Sequence, residues 1–83
     1  MDTFDSVMLD LKDIEKARKL MDKYGAERPV FIGRNEADES VHVKIRKRAI
    51  MVETLQNNTW RREDWYYYDG SSEVIEGEPW LKP

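Results

Sequence analysis

The sequence predicts an α+β fold, with one N-terminal helix packed on a mostly antiparallel β-meander of four or five strands. Three observations predict it. Apolar residues recur at helical spacing over residues 10–25, and after residue 29 the period changes from helical to alternating. The alternating stretches are separated by short polar turns, among them Asn57-Asn58 and Asp69-Gly70. The registers those turns impose gather the branched residues on one face, as a sheet covered by a helix requires.

The helix is read from DLKDIEKARKLMDKYG, where Leu11, Ile14, Ala17, Met21 and Tyr24 form one stripe with Leu20 beside them. Asp10 is the expected N-cap, with Asp13 three residues on. Gly25 suits the left-handed position that closes a helix. Upstream, residues 3–9 (TFDSVML) read equally as a short strand or an added helical turn. PVFIG, residues 29–33, is a strand, and Pro29 at its start places it at an edge. Residues 34–39 make a polar loop. In SVHVKIRKRAIMVETL, Val41, Val43 and Ile45 point one way while His42, Lys44 and Arg46 point the other. A tight turn over residues 46–49 pairs Ile45 with Ile50 and Val43 with Val52.

A two-residue turn at Asn57-Asn58 pairs Glu53 with Arg62 and Ile50 with Trp65. Asp69-Gly70 sends SSEVIEG back as a last strand, with Val74 near Trp65. The tail over residues 78–83, EPWLKP, is expected to be extended, with Trp80 either docked on the sheet or loose. These registers put Val41, Val43, Ile45, Ile50, Val52, Trp65, Tyr67 and Val74 beneath the helix. One residue resists. Glu63 falls on that buried face beside Val52, which demands either local exposure or a bulge that slips the register.

The totals exclude several function classes. A chain of 83 residues makes one domain and buries only about 60–65% of its unfolded surface, so its core is thin. The absence of cysteine rules out disulfides and thiolate metal sites, and fits a reducing cytosol. No apolar run approaches the roughly 20 residues that span a bilayer. MDTFDSVML lacks the basic and long apolar regions of a signal peptide, so the expectation is a soluble, cytoplasmic protein. His42 is the only histidine and stands between valines, and no serine lies in a G-x-S-x-G elbow. The four glycines are isolated and no calcium-loop pattern occurs. No enzyme, cofactor or metal is expected.

The face turned away from the helix is the candidate site. It is expected to carry His42, Lys44, Met51, Glu53, Leu55, Trp60, Arg62, Asp64, Tyr66 and Tyr68. Trp, Tyr, Met and Arg are the types enriched at the centres of protein interfaces. The expected function is therefore a small protein-binding module that uses Trp60, Arg62, Tyr66 and Tyr68, with Met51 and Leu55 beside them. Cross-strand aromatic pairs also stabilise a sheet by about 0.2–1 kcal/mol with no partner at all. A second reading is single-stranded nucleic-acid binding, with Lys44, Arg46, Lys47, Arg48 and Arg61 meeting phosphates. A net charge of −3, and Glu53 and Asp64 within the patch, oppose it. A third is self-association into a homodimer, through this face or an exposed edge strand.

LQNNTWRREDWYYYDGSSEV has the form of a strand, a turn, Trp60-x-Arg62, Tyr67-x-Asp69-Gly70 and a returning strand. Over residues 50–75 it resembles small uncharacterised proteins of Gram-positive bacteria and of their phages and mobile elements. The resemblance implies no active residues. It implies a context, in which small, acidic, non-enzymatic proteins bind and modulate a larger host or phage protein.

Overall fold

Residues 3–76 are described by the computed structural model; the tail expectations for residues 78–83, including Trp80, fall outside them. The chain runs α1 (Phe4–Leu11), α2 (Ile14–Tyr24), β1 (Phe31–Arg34), β2 (Ser40–Ile45), β3 (Ala49–Gln56), β4 (Thr59–Tyr67) and β5 (Ser72–Glu76). The strands form one antiparallel sheet in chain order, and the N-terminal helices rest on its first strands, α1 on β1 and α2 on β2. The fold is α+β, with two helices where the periodicity gave one.

The helical segment divides because two caps compete for it. Thr3 and Ser6 make a reciprocal capping box: the Ser6 amide donates to Thr3 Oγ1 at 3.2 Å, and the Thr3 amide donates to Ser6 Oγ at 3.0 Å. Residues 4–11 thus form a helix of their own, which answers the ambiguity over residues 3–9. Asp13, not Asp10, caps the second helix, accepting from the amides of Glu15 at 3.0 Å and Lys16 at 3.4 Å. Asp10 instead lies 3.9 Å from Lys16. Gly25, at φ 81°, ends α2 as expected, its amide donating to the Met21 carbonyl at 2.7 Å.

Leu11 and Ala17 of the helices meet Val41, Val43, Ile45, Ile50 and Val52 of the sheet in the core, with Phe4, Val7, Met8, Leu20 and Met21 packed around them. Ile14 departs from the expected stripe and is exposed, because the break at Lys12–Asp13 rotates the start of α2. The β2–β3 register is as the sequence predicts, Ile45 opposite Ile50 and Val43 opposite Val52. β1 is an edge strand, also as expected.

The β3–β4 pairing opens in the expected register, Leu55 opposite Trp60, and then slips. Between Thr54 and Leu55 the ladder skips Arg61, so Thr54 faces Arg62, Val52 faces Asp64 and Met51 faces Trp65. This is a β-bulge, with one residue of β4 left over. A second one-residue slip follows at the β4–β5 turn. Gly70, at φ 95°, donates its amide to the Tyr67 carbonyl at 3.1 Å, and the Tyr67 amide donates to the Ser71 carbonyl at 2.9 Å. The loop therefore has three residues, a turn closed by a left-handed glycine, and Val74 faces Asp64 rather than Trp65.

Candidate functional site

Residues directly opposite in an antiparallel pair share a face, so the register fixes what each face carries. Crossing the sheet on the side away from the helices, one row runs Lys44–Met51–Trp65–Glu73 and the next His42–Glu53–Glu63–Ile75. Ser40, Leu55 and Trp60 form a third row towards the β3–β4 turn, and Ala49 with Tyr67 a fourth at the other end. Met51 is 2% exposed and Ala49 1%, so the base of this face is already packed.

The bulge corrects half of the expected site. Trp60, Met51 and Leu55 lie on this open face as predicted. Arg62 and Tyr66 do not: they pair with Thr54 and Ile50 and so turn to the helix side. Tyr68 packs against the core from beyond the end of β4, its hydroxyl buried with no hydrogen-bond partner among the described residues. Burial raises the pKa of the Tyr68 hydroxyl, and nearby Arg18 opposes the rise. Trp65 and Tyr67, expected beneath the helix, are the residues that take their places on the open face. The physical reason is the period of two in a strand: one extra residue inverts every side chain that follows it.

Glu63 organises what results. Its carboxylate accepts from the Trp65 indole at 3.0 Å through Oε1 and from the Trp60 indole at 3.2 Å through Oε2. The Trp65 and Tyr67 rings stack at 6.4 Å with planes 25° apart. The Tyr67 hydroxyl donates to Glu73, a bond that raises its pKa because the neutral phenol is the form that donates. A carboxylate, three aromatic rings and a second carboxylate thus form one connected rail along β4 and onto β5. Sequence reasoning missed Glu63 as its organiser, although the awkward position of Glu63 beside Val52 was the one signal that pointed there.

On the helix side, the Arg62 guanidinium donates to both Asp64 oxygens, at 3.1 and 2.6 Å, and lies 3.5 Å from Glu76. This fork raises the Arg62 pKa, through its hydrogen bond to Asp64 first. Tyr66 sits beside it, 41% exposed. Desolvation, and then the negative charge of Asp64, raise the pKa of its hydroxyl.

The cations of the nucleic-acid reading do not share a surface. Arg46, in the β2–β3 turn, donates to the Ala26 carbonyl at 3.1 Å and to Glu27 at 3.2 Å. Lys47 and Arg48 are exposed in the same turn. Arg61 lies at the other end of β3, roughly 20 Å along the strand, where it pairs with Glu39 at 3.3 Å. Lys44 alone of the five lies on the open face, among Glu53, Glu63 and Glu73. His42 Nδ1 is 3.8 Å from Glu53.

Comparison with protein-family models, curated proteins and solved structures finds no match for this chain. Among the described residues, no three His, Asp or Glu side chains group as metal ligands, and no helix is long and apolar enough to cross a membrane.

Proposed function

We propose that this protein is a non-enzymatic binding module that holds a larger protein, and so modulates it, through the open face of its sheet. The observation that carries the reading is the rail of Trp60, Glu63, Trp65 and Tyr67. Hydrogen bonds and ring stacking fix large amphipathic side chains in advance, so little conformational entropy is lost when a partner covers them. Trp and Tyr are the types that dominate interface energetics, and Met51 and Leu55 give them an apolar floor. The acids between the rings set this face against phosphate, which separates the proposal from nucleic-acid binding.

Affinity capture from native cell extract tests it, with wild type, Trp60→Ala and Trp65→Ala side by side. Each variant should retain its circular dichroism spectrum and lose the captured partner, since a central aromatic contributes about 2 kcal/mol or more, roughly thirtyfold in affinity. Folded variants that capture the same proteins as wild type would refute it.

A further inference from the structure

The two edges of the sheet differ. β1 is four residues long, follows Pro29 and is backed by α1, all features that discourage further pairing. β5 has none of these. Its five residues, Ser72 to Glu76, are all exposed, with Val74 at 53% and Ile75 at 46%, and the strand contains no proline, lysine or bulge. The ladder shows which of its backbone groups are turned outward. The Tyr67–Ser71 bond makes those two residues a hydrogen-bonded pair, so Glu73 and Ile75 bond to β4 by alternation. The N–H and C=O groups of Ser72, Val74 and Glu76 therefore point away from the sheet.

Charge selects what can pair there. From residue 63 to 76 the chain carries Glu63, Asp64, Asp69, Glu73 and Glu76, with no Lys, Arg or His. The cations that precede this run, Arg61 and Arg62, are paired with Glu39 and with Asp64 and Glu76, which leaves Glu73 as the acid of β5 with no cation against it among the described residues. A second copy of β5, paired antiparallel about Val74, would set Glu73 diagonally against its own equivalent on the same face, which opposes self-pairing. A strand bearing lysine or arginine meets no such conflict.

We infer that β5 is a docking edge that takes an extended, Lys- or Arg-bearing segment of a partner protein as a sixth strand. The backbone of the segment bonds to Ser72, Val74 and Glu76. A basic side chain lies opposite Glu73, on the same face as the aromatic rail, and an apolar side chain lies opposite Val74 on the other face. This rests on the reading of the chain as a protein-binding module and names the chemistry of its partner.

The test uses a fluorescein-labelled decapeptide alternating lysine with valine, and the same peptide with glutamate for lysine, followed by fluorescence anisotropy. The lysine peptide should bind at low salt, weaken in about 0.5 M salt, and bind at least tenfold more tightly than the glutamate peptide. Val74→Pro removes an outward N–H that β4 does not use, a substitution an edge strand tolerates. It should weaken binding at least tenfold, and Glu73→Lys should do the same without touching the backbone. Equal binding of the two peptides, or wild-type affinity in both variants, would overturn the inference. So would a concentration-dependent dimer that Val74→Pro dissociates, which would make the occupant a second copy. If Trp65→Ala abolishes partner capture while Val74→Pro leaves it intact, the module stands and the edge assignment falls.

Discussion

Replacing Glu63 by Ala decides the register of β4, because the two registers predict opposite signs. With the bulge at Arg61, Glu63 lies on the open face and accepts from both Trp60 and Trp65. Without it, Glu63 would lie beneath the helices beside Val52, which is 4% exposed, as a carboxylate with no partner. In the first case the substitution removes two hydrogen bonds. A typical bond contributes about 0.5–1.5 kcal/mol net, and Glu63 is only partly buried, so the loss should be about 1–2 kcal/mol. In the second case the substitution removes an unpaired buried charge and should stabilise the protein. Urea unfolding followed by tryptophan fluorescence reads the difference. With a slope of about 1 kcal/mol per molar for a chain this size, the midpoint should fall by about 1–2 M. Glu63→Gln keeps one amide oxygen as acceptor and should recover part of the loss. The same samples report on geometry, since the indole N–H resonances of Trp60 and Trp65 should both move in Glu63→Ala. A rise in midpoint, or two unmoved indole resonances, would refute the bulged register and the site built on it.

Leu11→Ala should cost about 2–5 kcal/mol, because Leu11 is fully buried and pins the end of α1 to the core. Against a total of about 4–12 kcal/mol for this length, calorimetry should show a large drop in Tm, and a loss below about 1 kcal/mol would mean that α1 does not dock. Tyr68→Phe should leave stability unchanged or raise it by up to about 1 kcal/mol in urea unfolding, since the hydroxyl it removes is buried without a partner among the described residues; a clear loss would reveal a bond to that hydroxyl. Asp69 accepts from the side chain and amide of Ser71, which hold its pKa below the ordinary aspartate value. Its folded pKa is the lower one, so its contribution is present above pH of about 3.9 and is lost as pH falls through the folded value. Carboxyl NMR titration should show Ser71→Ala moving Asp69 back towards the ordinary range, and an unchanged titration would remove Ser71 as the cause.

Much of the architecture was legible because most turns are regular. Ile45–Val43 against Ile50–Val52 is apolar on both strands, so only one register buries all four. Asn57 and Asn58, at φ 53° and 63°, make the two-residue turn their identity suggests, and Leu55 meets Trp60 as read. The bulge was not legible because Arg61 and Arg62 are alike: either can be left over, and no hydrophobic pattern chooses between them. Gly70 was ambiguous for a related reason, since Asp-Gly serves a two-residue turn and also a three-residue loop ending in left-handed glycine. The two slips cancel in parity. Val74 therefore returns to the helix side of the sheet, although at 53% exposure it is not covered there as expected, whereas everything between the slips, Arg62 to Tyr68, is inverted. That interval contains Trp65, Tyr66, Tyr67 and Tyr68, so the inversion exchanges the aromatic residues between the two faces while the order of the strands is untouched.

The order of the strands in space repeats their order in the chain, and successive strands are joined by two to five residues. No long loop has to close before the first sheet contacts form, which keeps the entropic barrier low and the contact order modest for a β-rich chain. The β2–β3 hairpin, with its four branched side chains in register, is the natural nucleus, and strands can add to it outward on both sides, one short closure at a time. Folding of the sheet should therefore be fast for its β content, with docking of the helices as the longer-range step.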